Sequence, residues 1–166
     1  NDDTLATMQI RSAGYANLAS DTFHDKWAQT YTAEGTSLAG SILMATLGGA
    51  SGWQFSVRVS LHEGGPDGPQ IGPATTMPCA YAPFFGVAGA SFGRGEAPTV
   101  PGQTYAIVYE REGGFNASRM NEGDTYAGGT AQWTDTNGDW QAQPFDLCMD
   151  IFEYAPEAAA NHWLGY

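Results

Sequence analysis

The sequence predicts an all-β chain, an antiparallel β-sandwich with jelly-roll connectivity as the expected form. Three observations carry the prediction. Twenty-two glycines and 9 prolines punctuate 166 residues, breaking any helix of crossover length. Charged residues make up only 14%, well short of the usual quarter, whereas 5 Trp, 8 Tyr and 8 Phe supply buriable surface that a disordered chain lacks. Short apolar runs with a period of two recur between turn signals, with no helical stretch between them. The length suits one domain spanning 1–166, with a core over 27–154 and arms over 1–26 and 155–166. No repeat, linker or low-complexity segment divides it.

Residues 1–26 have mixed polarity and no sustained period, and read as an arm with at most one strand. From Trp27, the residues Trp27, Gln29, Tyr31 and Ala33 alternate with Ala28, Thr30 and Thr32, a strand pattern closed by Glu34-Gly35. Leu38 to Leu47 reads as a buried strand, with a short helix as the alternative. Trp53, Phe55, Val57, Val59 and Leu61 share one face while Gln54, Ser56, Arg58 and Ser60 share the other. The Gly- and Pro-rich run after His62 sets a long turn, Gln70 to Gly72 suits a short edge strand, Pro73 to Pro83 reads as irregular, and Phe84 to Phe92 as a weaker strand. Thr104 to Arg111 alternates clearly. Phe115 to Met120 and Tyr126 to Trp133 follow as strands, and Asn137-Gly138 is the strongest two-residue hairpin signal in the chain. In the last strand Phe145, Leu147, Met149 and Ile151 oppose Asp146, Cys148 and Asp150, ending near Tyr154. One helical turn is expected over Pro156 to Ala160, ahead of an amphipathic tail.

Six basic residues face 18 acidic ones, for a net charge of -12. Such a surface repels phosphate backbones and anionic lipid, which removes the main source of affinity for nucleic acid. No run approaches the ~18 to 20 apolar residues of a membrane-spanning helix, so no membrane insertion is expected. The chain starts at Asn1 without Met and without a basic-plus-apolar leader, as a signal-cleaved or trimmed product does, and the expectation is a secreted or cell-surface location. Cys79 and Cys148 suit a disulfide in that setting. It would close a loop of about 70 residues, for on the order of 4 kcal/mol. The alternative is two buried thiols.

Four constellations of residues bear on chemistry. Gly35-Thr-Ser-Leu-Ala-Gly40 comes within one residue of a nucleophile elbow, but Ala39 stands where the second Gly must be and no parallel strand-to-helix setting surrounds it. Paired carboxylates could serve a glycosidase, yet none of the 18 acids is singled out by an apolar setting except Asp146 and Asp150. Asp135, Asn137 and Asp139 have the one-three-five spacing of a calcium loop with Asp146 at the twelfth position. Against that, Trp140 occupies the expected Gly position and the hairpin already explains Asn137-Gly138. Finally, Tyr126, Trp133 and Trp140 cluster in a polar, Gly-rich region, where an exposed ring face could stack on a sugar, with Asn116 and Arg119 as polar partners. Core packing is the competing explanation for each ring. Asn116-Ala-Ser118 also fits a glycosylation acceptor.

Gln29-Thr-Tyr-Thr-Ala33 with Ser37-Leu38, Val57-Arg-Val-Ser-Leu61 with Gly65-Pro-Asp-Gly-Pro-Gln-Ile-Gly72, Pro101-Gly-Gln-Thr-Tyr105, Tyr126-Ala-Gly-Gly129 and Asp146-Leu147 together resemble the landmarks of carbohydrate-binding modules, accessory jelly-roll domains of bacterial extracellular proteins. The resemblance spans Trp27 to Tyr154. It implies a non-catalytic module that binds a polysaccharide or other glycan, often with a structural calcium. The rival expectation is a structural or adhesion subunit, a homo-oligomer or filament whose terminal arms pack on or add a strand to neighbours.

Overall fold

The structure, a computed structural model, describes residues 7–12, 18–21, 26–46, 56–78, 80–82, 85–112, 117–121 and 126–156. Two strands, β1 (Thr7–Ser12) and β2 (Leu18–Asp21), lie in the N-terminal arm. Then come β3 (Lys26–Thr32), β4 (Ser37–Thr46), β5 (Ser56–Glu63), β6 (Gln70–Pro78), β7 (Ala80–Ala82) and β8 (Phe85–Ser91). The chain continues through β9 (Thr104–Glu112), β10 (Ala117–Asn121), β11 (Ala131–Thr134), β12 (Trp140–Ala142), β13 (Asp146–Leu147) and β14 (Met149–Tyr154). The described residues contain no helix, so the helical alternative for Leu38 to Leu47 is settled as β4. The turn expected over Pro156 to Ala160 falls mostly outside the described residues.

The strands form two sheets, one of eight strands with the main path β1-β14-β4-β10-β13, and one of six with the order β12-β11-β3-β9-β5-β6. Every pairing between them is antiparallel. This is the expected β-sandwich; jelly-roll connectivity is a finer statement than these pairings make. The arm is more regular than its sequence suggests. Its β1 pairs with β14 and its β2 with β10, so the segment adds two strands to the eight-stranded sheet. Conversely, Pro73 to Pro78 belongs to β6 and Ala80 to Ala82 forms β7, although the pairing of β6 with β5 is irregular between Ile71 and Thr75, around Pro73. An edge strand tolerates proline because one of its sides needs no N–H donor, and β6 has a single partner.

Between the sheets lies one apolar cluster. The six-stranded sheet contributes Trp27, Tyr31, Val57, Val59, Leu61, Tyr105, Ile107 and Tyr109; Leu38, Leu43, Leu147, Met149 and Ile151 face them from the other. Interdigitation of two such inner faces is what holds a sandwich together. Tyr109 ties the layers with its polar end as well, since its hydroxyl bonds Ser41 Oγ on β4 and donates to Met149 Sδ at 3.8 Å. Burial pushes that phenol far above its ordinary pKa. The inner-face alternation read from Val57 to Leu61 is borne out, with Trp53 and Phe55 outside the described residues.

Candidate functional site

The region of the predicted aromatic cluster is built on the β11–β12 hairpin. Its turn is one residue longer than a two-residue Asn-Gly connection. Gly138 N–H donates to Asp135 O at 3.0 Å and Asp135 N–H to Asp139 O at 2.8 Å, while Gly138 sits at φ 89°. That is a turn over Asp135 to Gly138 closed by a left-handed glycine, the three-residue hairpin in which Gly makes the bulge. The Asp135 carboxylate fastens it, as Oδ1 accepts from the Asn137 N–H at 2.8 Å and the Asp139 N–H at 3.0 Å. These bonds, that from Asp139 first, hold its carboxyl below the usual carboxylate range. A depressed pKa stabilises the fold above the ordinary value of about 4, and this support is lost as pH falls through the folded one. An NMR acid titration should therefore show the Asn137 and Asp139 amides shifting together below pH ~4; amides that move independently of the Asp135 carboxyl would refute the clamp.

Register sends the two tryptophans to opposite sides of the six-stranded sheet. Trp133 pairs with the core residue Trp27. It packs against the core and meets the Phe145 ring at 6.4 Å. Trp140 pairs with Thr134, one residue further along, and so belongs to the outer face. It is half-buried and makes no side-chain hydrogen bond or ring contact among the described residues. Tyr126 also serves the interior side: it packs against the core and its hydroxyl accepts the Thr32 N–H at 3.2 Å. The three aromatics therefore do not form one platform.

Asp146 is displaced from its expected role as well. The strand alternation puts it opposite Leu147, yet both are fully buried. Its Oδ1 accepts from Gln29 Nε2 at 2.9 Å and its Oδ2 from the Tyr126 N–H at 2.8 Å; Gln29 Oε1 in turn accepts the Leu147 N–H at 3.0 Å. Both Asp146 oxygens thus accept hydrogen bonds inside the sandwich, while Asp135, Asn137 and Asp139 stand in the hairpin turn. Among the described residues no three His, Cys, Asp or Glu side chains gather as a metal site.

Around Trp140 the outer face carries a rung that sequence alternation alone does not assemble. Gln132 pairs with Ala28 and Trp133 with Trp27; continuing that register puts Thr134 beside Lys26. Lys26 pairs with Glu110 and Glu110 with Arg58. Trp140, Thr134, Lys26, Glu110 and Arg58 thus cross five adjacent strands. Glu110 bridges the two cations, at 3.2 Å to Lys26 Nζ and 3.5 Å to an Arg58 terminal nitrogen. The next row, Gln132, Ala28, Val108 and Ser60, has small, buried members at its centre. The alternation of β5 already assigns Arg58 and Ser60 to one face. Bringing them beside Lys26 and Trp140 requires the sheet order, which is set by contacts distant in sequence.

Other candidates resolve separately. Ser37, the near-elbow serine, is buried at the start of β4, where its Oγ donates to Ala97 O at 3.1 Å and accepts from the Gly95 N–H at 3.1 Å. This is a structural hydroxyl in an antiparallel setting. Arg119 lies on β10, in the sheet opposite Trp140. Asn116 lies outside the described residues, as does Cys79, the expected partner of the fully buried Cys148. No protein-family model matches the chain, and no curated protein matches it significantly.

Proposed function

We propose that the chain is a non-catalytic, extracellular glycan-binding β-sandwich module whose site is the outer face of the six-stranded sheet. Trp140 carries this reading: a half-buried indole on an edge strand, with the half-buried Gln132 side chain on the same face. Such a ring offers an apolar face to sugar C–H groups while its polar neighbours take hydroxyls. The resemblance to carbohydrate-binding modules points the same way. A glycan-array screen of the whole chain tests it. Trp140→Ala should weaken binding by roughly 1 to 3 kcal/mol with an unchanged melting temperature. Trp133→Ala should instead lower the melting temperature, because its ring packs beneath the sheet against Phe145. Silence across a broad array would reject the reading.

A second reading has one observation of its own. The N-terminal segment lines β14 and β10 as β1 and β2, so its exchange between copies would build a homo-oligomer or filament by strand addition. A concentration-independent monomer in sedimentation would count against it.

A further inference from the structure

We propose that the glycan taken by this outer face is a polyuronate, its carboxylates read by Lys26 and Arg58. The inference rests on the glycan-binding reading and adds the chemical class of the ligand. The chain has only 6 Lys and Arg against 18 Asp and Glu, yet two of those six stand on one rung with Trp140. Among the described residues Glu110 is the one acid on that rung, which leaves the rung with one positive charge in excess, and Glu112 lies one row along the same face. Glu110 also displays what the pair is spaced to hold, since its carboxylate sits between an ammonium at 3.2 Å and a guanidinium at 3.5 Å. Both cations remain open to a second such group: their side chains are 43% and 35% exposed. Arg58 is oriented as well, donating to Gln70 Oε1 at 3.1 Å, and a fixed guanidinium fork suits carboxylate recognition.

Spacing links the cations to the aromatic. Neighbouring strands lie ~4.8 Å apart, so Lys26 stands ~10 Å and Arg58 ~19 Å from Trp140 along the rung. A polymer lying across the strands with one ring on Trp140 presents its following rings to both cations. Asp135 and Asp139 lie at the strand ends beside the Thr134–Trp140 pair, and a polymer crossing toward β5 leaves them behind after the first strands. The net charge of -12 does not forbid this, because charges beyond ~8 Å are largely screened at physiological salt while the direct contacts are not.

Calorimetry of the whole chain with polygalacturonate oligomers, and with the same oligomers fully methyl-esterified, tests the proposal. The free acid should bind at least about tenfold more tightly than the ester, and Arg58→Gln should lose about tenfold toward the acid alone. Glu110→Gln, which removes the competing carboxylate, should tighten binding of the acid. A merely structural Glu110 would give no gain. Equal affinity for acid and ester, or weaker binding by a folded Glu110→Gln chain, overturns the proposal. Binding of a neutral glycan with neither oligomer bound overturns the polyuronate and leaves the module reading standing; binding of no glycan removes both.

Discussion

Replacing Asp146 with alanine should destabilise the sandwich by on the order of 3 kcal/mol, a large share of the ~5 to 15 kcal/mol that holds a domain folded. The reason is what the substitution leaves behind. Asp146 receives the Gln29 amide from β3 and the Tyr126 N–H from the segment leading into β11. Gln29 and Asp146 are both buried, so water does not readily replace the lost acceptor, and an unsatisfied buried donor costs more than an average hydrogen bond contributes. Asparagine keeps one acceptor and turns an amide N–H₂ toward the other donor, so Asp146→Asn should retain about half of the stability lost in alanine, ~1.5 kcal/mol. Urea unfolding of the two variants measures this. A change below ~0.5 kcal/mol in Asp146→Ala, the range of ordinary surface substitutions, would refute the assignment.

This carboxylate shows where sequence reading succeeds and where it stops. The period of two located β3, β5, β9 and the last strand, because a half-buried strand must alternate and the apolar residues at Val57, Val59 and Leu61 do so. Alternation also predicts that the opposite residues meet solvent, and there it fails. Thr30, Ser60, Asp146 and Cys148 are all buried, since packing on the outer faces and across strand ends depends on which strands become neighbours. Gln29 meets Asp146 across 117 residues of sequence. The same limit separates Trp133 from Trp140. Both occupy the hairpin that Asn137-Gly138 announces, but one extra turn residue and the pairing of Trp133 with Trp27 decide which ring turns inward. Likewise Lys26, Glu110 and Arg58 become neighbours only through the order β3-β9-β5.

Glu153→Ala is expected to cost a similar amount, about 3 kcal/mol, for a reason tied to a break in the strand pattern. In β14 the inward residues are Met149 and Ile151, so Glu153 would also face the core. The register with β4 shifts between Phe152 and Glu153, Ala39 being the extra residue on β4, and Glu153 pairs with Leu38 at the start of that strand, next to the β3–β4 turn. Fully buried Glu153 then reaches the β3–β4 turn, where Oε2 accepts the Glu34 N–H at 2.8 Å and the Gly35 N–H beside it. Gly35 permits the approach: a Cβ at that position would stand 2.6 Å from the Cβ of Glu153 and 2.5 Å from Tyr154 O. Oε1 has no hydrogen-bond partner among the described residues, so only one oxygen of the carboxylate does the clamping. Glu153→Gln retains an oxygen for both turn N–H groups and should cost less than ~1 kcal/mol, against ~3 kcal/mol for alanine. Equal losses in the two variants would refute this account, because glutamine keeps both the volume and an acceptor oxygen, and would mean that the sandwich requires the carboxylate charge itself at this position.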